Sequence, residues 1–399
     1  MKVGMISIYP PIKSKHVKLS GVASYTKNLI TNMSNNNDVI VFADSLPKGE
    51  SSYNDEEVMI CRCWNKGINY PFQIFRKILR YKLDIIHIQH EFYLYGGLVS
   101  AIIFPLFLFF LSFLRLPVIV TLHGVMPLSN VDQKFLTDNW IKGKPFSMKI
   151  GMLFLIKFIV LLSSSIIVHE EKIKQMLIHD YRCKDHKINV IPHGIEEKKS
   201  IVLKNLAKEK IGIKEKRVIL FFGYITGYKN VRLLIESAKY LKTSDWIIII
   251  AGGPHPRLIN NPDYKRYLLD LRETANMISK DNFMFKDFIP EEKVQLFFSA
   301  ADLIVFPYNL CMHSSGPLSL AISYGTPFII SDCFYPIILN KRILFRNEIK
   351  ELSTKIDMFF SDNEFQLESL RYCQELRKSI FWPNISLRTR NLYLKIIEY

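Results

Sequence analysis

Short runs of consecutive apolar residues alternate with amphipathic segments along most of the chain. The runs at residues 118–122, 218–222 and 246–251 are rich in β-branched or aromatic side chains and are too short for helices, so they predict buried strands. Between the runs lie segments such as residues 231–241, where apolar side chains recur at helical spacing. Strands that alternate with helices in this way predict an α/β fold built on parallel sheets.

The alternation occurs twice, on either side of a segment with a different composition. Residues 196–216 are rich in lysine and glutamate and contain no strong strand pattern. We therefore predict two Rossmann-like, doubly wound domains, residues 1–200 and residues 201–378, that face each other across a cleft. Residues 379–399 are predicted to form a helix that returns to the first domain.

Two helical segments of the first domain are apolar on every side. Residues 98–114 contain no charge, and residues 148–162 contain only Lys149 and Lys157 as charged residues. Residues 98–114 fall just short of a membrane span. We favour helices that pack into the core of the α/β layers. The alternative is a pair of helices that dip into an anionic membrane surface, which the neighbouring lysines would suit.

Glutamate or histidine follows four predicted strands in the first half of the chain. Glu91 follows one strand, and His123, His169 and His193 follow the others. Because ligands of open parallel sheets bind beyond the carboxyl ends of the strands, these side chains are candidates for one site. A single histidine at a strand end is more often structural, and His193 is expected either to be structural or to line the cleft.

The strand predicted at residues 302–306 leads through small residues into a short helix pattern. Ser315 or Gly316 can cap that helix, and Pro317 suits its first position. Gly325 suits its exit. Unpaired backbone N–H groups and the positive end of the helix dipole would then point at one spot, which favours an anion. The alternative is an ordinary strand-to-helix turn.

Composition narrows the classes of partner. The net charge of +16 indicates an anionic partner, namely a phosphorylated small molecule, an acidic membrane surface or nucleic acid. Nucleic acid ranks last, because the chain has no zinc-finger or RNA-recognition motif. The six cysteines are scattered without zinc-pair spacing, which indicates free thiols in a reducing cytosol. Residues 1–8 predict a strand rather than a secretion signal, so we expect a cytoplasmic protein, with attachment to the inner face of the cell membrane as an option.

Taken together, several motifs resemble one enzyme family in their order and spacing. The chain is similar to GT-B glycosyltransferases of family 4, the retaining enzymes that use nucleotide sugars. The segments that carry the resemblance are residues 9–11 with 21–23, 87–91, 121–124, 190–194 and 222–229.

The resemblance implies a reaction. It implies a retaining transferase that moves a hexose from a UDP- or GDP-sugar to a hydroxyl of a glycan or lipid-linked acceptor, in the synthesis of cell-surface polysaccharide or glycoconjugate. The first domain would bind the acceptor and the second would bind the nucleotide sugar, which is a substrate. No cofactor and no metal ion are implied.

The resemblance also implies roles for single residues. Gly21 would lie in a glycine loop beside the donor pyrophosphate, and His123 would lie beside the donor sugar. Lys229 would neutralise the diphosphate, whose negative charge grows as the glycosidic bond breaks. Glu91 is either an acid or base toward the acceptor or the partner of a lysine.

The helix N-terminus is expected to complete the donor diphosphate site. It is formed by Ser314, Ser315, Gly316 and Pro317. Further positions are expected to line the donor cleft. These are Gly223, Thr226, His193 and Gly253.

The chain departs from the family pattern at two acidic positions and one basic position. Met312 and Leu320 stand where most members carry glutamates, and Tyr224 replaces an arginine. The departure puts ribose binding and donor choice in question and gives Lys229 more of the diphosphate role. It also leaves an alternative, a non-catalytic relative that serves as a binding or scaffolding subunit of a polysaccharide assembly.

Overall fold

The computed structural model describes residues 1–11, 21–33, 38–47, 51–133, 144–196, 202–213, 216–256, 258–309, 315–335 and 338–398. Ser314 and Met312 therefore lie outside the described residues. The chain divides into two compact units. The first unit is Met1–Gly194 with Trp382–Tyr399, and the second unit is Ile195–Phe381.

The elements of the first part of the chain alternate as the sequence predicts. The strands are β1 (Lys2–Ile6), β2 (Asp38–Asp44), β3 (Ser52–Asp55), β4 (Val58–Trp64), β5 (Ile85–His90), β6 (Val118–Leu122), β7 (Ser165–Val168) and β8 (Ile188–Val190). The helices are α1 (Gly21–Thr31), α2 (Tyr70–Ile78), α3 (Leu98–Ser112), α4 (Pro145–Leu162) and α5 (Glu171–His179).

The second part of the chain repeats the alternation. Its strands are β9 (Arg217–Phe222), β10 (Trp246–Ala251), β11 (Phe283–Lys286), β12 (Leu303–Phe306), β13 (Phe328–Ser331) and β14 (Leu344–Phe345). Its helices are α6 (Lys204–Lys210), α7 (Val231–Ser237), α8 (Pro262–Ile278), α9 (Glu291–Ala300), α10 (Gly316–Tyr324), α11 (Ile349–Ser361) and α12 (Asn363–Ser379), and α13 (Trp382–Ile397) follows them.

Each unit is built on its own twisted sheet. Within the described residues, the first sheet has the order β3-β4-β2-β1-β5-β6-β7-β8, and the second has the order β11-β10-β9-β12-β13-β14. All recorded pairs are parallel except β3 with β4. The predicted fold class, two Rossmann-like α/β domains, is confirmed. The central strands β5, β6, β7, β10, β12 and β13 are buried on both faces, as helices on both sides of a parallel sheet require.

Strand β3 was not expected from the sequence, and neither was the two-residue strand β14. Residues 45–57 are polar and predict a loop, but Ser52–Asp55 forms the antiparallel edge strand β3. Its side chains are exposed or half-buried, so it carries no apolar run for the pattern to detect.

The last helix packs on the first unit. Within this unit Ser386 Oγ donates to the carbonyl of Leu29 in α1 at 2.8 Å, and the hydroxyl of Tyr393 contacts Nδ1 of His87 in β5. The packing is also tight at Gly194, where an added Cβ would lie 2.3 Å from the indole of Trp382.

Helices α3 and α4 pack against each other and each buries only one side. The core interpretation of these two segments therefore holds for one face of each helix. The opposite faces carry large apolar side chains in contact with solvent.

Candidate functional site

The second unit presents glycines at the carboxyl ends of two neighbouring strands. Gly223 follows β9 with a φ of +119°, and Gly252 follows β10 with a φ of +131°. A Cβ on Gly252 would lie 2.5 Å from the carbonyl carbon of Gly223. A Cβ on Gly253, which has a φ of +64°, would lie 2.9 Å from the backbone nitrogen of Phe288. The two strand ends thus approach backbone to backbone, which only glycine permits.

A lysine ammonium points at this glycine pair. A Cβ on Gly223 would lie 2.9 Å from Lys229 Nζ and 3.0 Å from Pro317 Cγ, so all three positions meet at one point. Lys229 is 8% exposed and pairs with no carboxylate among the described residues. Burial lowers the pKa of its ammonium from the ordinary 10.5 to about 8. A buried cation without a counter-ion is costly unless an anionic ligand joins it.

Two aromatic rings flank the ammonium. The ring centroids of Tyr228 and Tyr308 lie 6.0 Å and 5.8 Å from Nζ. Their faces stabilise the positive charge in place of a carboxylate. Among the described residues, the surroundings of the ammonium are thus aromatic rather than anionic.

The helix predicted after β12 is present, with the caps that the sequence predicts. Ser315 is the N-cap of α10 and its hydroxyl accepts from the N–H of Leu318 at 3.3 Å. Gly325 ends the helix in the left-handed conformation with a φ of +68°. Pro317 has no N–H, and no described residue accepts from the N–H groups of Ser315 or Gly316. Free amides of this kind at a helix N-terminus are the arrangement that favours an anion.

The segment between Gly223 and Lys229 is fixed to neighbouring parts of the second unit by hydrogen bonds. The N–H of Ile225 donates to the carbonyl of Gly253 at 2.9 Å, and the hydroxyl of Tyr264 donates to the carbonyl of Ile225 at 2.6 Å. Thr226 is buried, and its hydroxyl has no hydrogen-bond partner within the described part of the chain. The predicted positions Gly223, Thr226, Lys229 and Gly253 are therefore held in one small region.

The strand ends of the first unit are filled by a hydrogen-bonded set of imidazole and amide groups. His123 Nε2 lies 2.8 Å from Gln89 Oε1, and His123 Nδ1 lies 3.2 Å from His169 Nε2. His169 Nδ1 donates to the carbonyl of Ile191 at 3.0 Å. Both ring nitrogens of His123 thus contact side chains of the same unit.

Burial keeps these imidazoles neutral. It lowers the pKa of His87 to about 3 and the pKa of His169 to about 4, and it holds the pKa of His123 well below 6.5. Neighbouring imidazoles act in the same direction for His123. His90 is fully buried against Phe104, its Nδ1 has no partner among the described residues, and burial lowers its pKa to about 4.

The other predicted residues of the first unit differ in their surroundings. His193 packs on Tyr25 and Trp382 at ring-centroid distances of 5.2 Å and 5.5 Å. Glu91 is exposed after β5 and pairs with no described lysine. Gly21 is exposed at the start of α1, where an added Cβ would meet nothing within 4 Å. The space around Gly21 would therefore accept a larger side chain.

Sequence reasoning overlooked Gly252 and Tyr308. The glycine pair at 252–253 marks a strand end, but the tight contact of Gly252 with Gly223 depends on the pairing of β9 with β10. The described residues contain no group of three histidine, cysteine, aspartate or glutamate residues that could hold a metal ion.

Two sequence models of known families match the chain. Residues 19–199 match the family described as Glycosyltransferase Family 4, and residues 204–375 match the one described as Glycosyl transferases group 1. The chain is a GT-B glycosyltransferase that resembles family 4. The predicted resemblance is confirmed, and so is the prediction of an enzyme.

Individual relatives agree with this identification. The chain is 26% identical, over 338 residues, to the alpha-monoglucosyldiacylglycerol synthase of Streptococcus pneumoniae. The matched region covers 78% of this chain and 69% of that protein. In fold, the glycosyltransferase is similar to a sucrose-phosphate synthase from Thermosynechococcus elongatus, with a TM-score of 0.66, 15% identity and coverage of 100% and 99%. It is also similar to Anabaena HepE in complex with UDP, with a TM-score of 0.67, 13% identity and coverage of 99% and 100%.

Proposed function

We propose that this glycosyltransferase moves a hexose from a UDP-sugar to a hydroxyl of a lipid-linked acceptor, with retention of the anomeric configuration and without a metal ion. The observation that carries the proposal is the buried ammonium of Lys229, which pairs with no carboxylate among the described residues and lies beside the capped N-terminus of α10. Because the ammonium and the helix N-terminus both attract negative charge, a site of this kind should bind a diphosphate much more strongly than a neutral ligand.

The chemistry of the leaving group supports these assignments. When the bond from the sugar to the diphosphate breaks, negative charge accumulates on the departing phosphate oxygen. The Lys229 ammonium and the amides of Ser315 and Gly316 would bind that oxygen more strongly in the transition state than in the ground state. A fixed ammonium and a helix N-terminus can supply the positive charge that a divalent cation supplies in metal-dependent transferases. Metal independence is proposed on that basis.

The choice of donor and acceptor rests on the relatives. Anabaena HepE is described in complex with UDP and with UDP-glucose, which supports a UDP-sugar as donor. The pneumococcal relative is named for an α-glucosyl diacylglycerol product, which supports a lipid acceptor. Transfer with retention from an α-linked UDP-glucose would give an α product of that kind.

Release of the nucleoside diphosphate tests the donor site. We would measure turnover with UDP-, GDP- and ADP-sugars for the wild type, for Lys229→Ala, and for Lys280→Ala, which removes an exposed lysine after α8 in the same unit. Loss of the Lys229 charge is expected to raise the barrier by about 2–4 kcal/mol, or roughly 30- to 900-fold in kcat/KM. Lys280→Ala is expected to match the wild type.

A pH profile sharpens the same test. The free enzyme holds Lys229 with a pKa of about 8, so kcat/KM of the wild type should fall as the pH rises through that value. Lys229→Ala should lack this step. Equal turnover of wild type and Lys229→Ala would refute the proposed site, and loss of activity with EDTA that Mg²⁺ restores would refute metal independence.

A further inference from the structure

Helix α3 presents a row of large apolar side chains to solvent. Leu98, Ile102, Leu106 and Phe109 are exposed at intervals of three or four residues, and Phe113, 64% exposed, continues the row just beyond the helix. This spacing places them on one side of the helix. The other side, with Phe104 and Phe107 among others, is buried in the core of the first unit.

Helix α4 repeats the arrangement. Phe146, Ile150, Phe154, Phe158 and Leu161 are exposed along one side, and Phe146 reaches 73%. The opposite side, which includes Met152 and Ile159, is buried in the core. We call the two exposed rows, on α3 and on α4, the apolar face.

The two helices lie side by side, so the two rows form one surface. Helices α3 and α4 contact each other, and they are the successive crossovers from β5 to β6 and from β6 to β7. Soluble monomers rarely expose a continuous apolar patch of more than a few hundred Å² without a binding purpose. Ten exposed side chains of this size exceed what an ordinary solvated layer carries.

Positive charge accompanies the apolar face. Lys144 precedes α4, and Lys149 and Lys157 lie on it, while neither α3 nor α4 contains an acidic residue. The neighbouring helix α2, which contacts α3, exposes Phe72 at 69% and, one turn later, Arg76. Apolar side chains interleaved with lysine and arginine are the pattern of an interfacial helix on an anionic bilayer.

We infer that the apolar face docks this unit on an anionic lipid bilayer, with α3 and α4 lying parallel to the membrane plane. The outward side chains enter the boundary between headgroups and acyl chains. Lys157, which lies within the outward row of α4, extends its ammonium to the headgroups along its own methylene chain. The inference rests on this face alone and holds whatever the donor or acceptor is.

The fold decides between lying on the membrane and crossing it. By length and composition Pro145–Leu162 could span a bilayer, and 28% of it is buried. Its two ends, however, connect to β6 and β7, which pair with each other in one sheet, and its inner side closes the core. Spanning would require the sheet to lose this helix. Shallow insertion requires no rearrangement.

The charges decide between a bilayer and a second copy of the chain. A two-fold symmetric contact would bring the same apolar faces together and would bury Lys157 of both copies with no carboxylate on either helix to pair with it. Anionic headgroups would neutralise the same lysines while the aromatic side chains are buried.

Vesicle flotation of the full chain tests the inference. The wild type is expected to float with vesicles of phosphatidylcholine mixed with phosphatidylglycerol, and more weakly with phosphatidylcholine alone. A variant that combines Phe109→Ser, Phe113→Ser, Phe154→Ser and Phe158→Ser should lose about tenfold or more of the partition coefficient, because exposed apolar area drives insertion. Lys149→Ala with Lys157→Ala should weaken binding only to the mixed vesicles.

A matched control removes four exposed apolar side chains from the second unit. It combines Leu203→Ser, Leu269→Ser, Met277→Ser and Leu367→Ser, all at exposed positions. This variant should float like the wild type. An equal loss of vesicle binding in both variants would indicate non-specific hydrophobic adsorption and would overturn the inference.

Insertion depth and oligomeric state complete the test. Phe154→Trp should add fluorescence that brominated acyl chains quench, which separates insertion from adsorption by charge alone. Two results would overturn the bilayer assignment. In one, the wild type binds neither vesicle type. In the other, the wild type sediments as a dimer and the variant with serine at positions 109, 113, 154 and 158 sediments as a monomer. The affinity of every variant for UDP should equal that of the wild type. A negative result in the membrane experiments would therefore leave the proposed donor site at Lys229 untouched, because the turnover of Lys229→Ala tests that site independently.

Discussion

The carboxyl ends of the strands are finished differently in the two units. In the first unit, Gln89 lies near the end of β5, and His123 and His169 follow β6 and β7; the two ring nitrogens of His123 contact the side chains of Gln89 and His169. In the second unit, Gly223 and Gly252 follow β9 and β10, and among the described residues the Thr226 hydroxyl has no hydrogen-bond partner and the Lys229 ammonium has no carboxylate partner. We call the first the closed edge, because its own side chains fill it, and the second the open edge, because these two groups lack such partners among the described residues.

The difference shows where binding energy is available. A group that already has an internal hydrogen bond must give it up before it can bind a substrate, so its net contribution is small. Lys229 and the amides of Ser315 and Gly316 have no such bond to lose to a described residue. The second unit therefore holds the stronger candidate for the donor phosphates, while the catalytic role of His123 stays a prediction.

The open edge depends on glycine, and this gives the largest expected effect. Gly252→Val should destabilise the protein by about 3 kcal/mol or more and abolish UDP binding, because the new Cβ would collide with the backbone of Gly223 at a positive φ. Gly227→Ala is the control, since its Cβ would meet nothing within 4 Å. Urea unfolding and calorimetric titration with UDP would measure both. A Gly252→Val protein that binds UDP normally would contradict the backbone contact.

The closed edge should be sensitive to acid. Burial lowers the pKa of His90 and of His169 from 6.5 to about 4, so between these values the unfolded chain binds protons that the folded unit does not. Stability is therefore complete above about pH 6.5 and is lost as the pH falls toward 4. His90 alone would account for about 3 kcal/mol of this loss, as an order of magnitude. Glu170, whose pKa burial raises, opposes the trend.

The second unit provides the comparison for this prediction. Burial acts to raise the pKa of Asp302, but hydrogen bonds from Lys204 and Lys208 among others outweigh it and lower the pKa below 3.8, so the contribution of Asp302 is lost only at lower pH. Urea unfolding at pH 7 and pH 4.5, with each unit followed by pulsed hydrogen exchange at one labelling pH, should show a larger loss in the first unit. His90→Leu should reduce that loss. Equal losses in the two units would argue against the buried imidazoles as the cause.

The sequence predicted features that depend on neighbouring residues in the chain. The caps at Ser315 and Gly325 follow from local backbone requirements, so the helix and its dipole could be predicted before its surroundings were known. The alternation of apolar runs likewise predicted both sheets. Strand β3 was not predicted, because a polar edge strand contains no apolar run.

Features that depend on contacts between distant segments could not be predicted in this way. The partners of His123 come from two other strands, and the contact of Gly252 comes from the pairing of β10 with β9. Periodicity also could not separate core from exposed apolar positions in α3, because both sides of that helix are apolar. The distinction needed the packing of the helix on its own unit.

The smallest expected effect separates stability from binding at the open edge. Ser315→Ala removes the hydroxyl that accepts from Leu318 and should cost about 1 kcal/mol of stability. It should also weaken UDP binding several-fold, because the first turn that presents the free amides becomes less ordered. Asn261→Ala is the matched control, since Asn261 caps α8 by accepting from two backbone N–H groups. It should lose a similar amount of stability in thermal unfolding and keep its UDP affinity. If both variants lose affinity in proportion to stability, the N-terminus of α10 acts only as scaffold, and the open edge is reduced to Lys229.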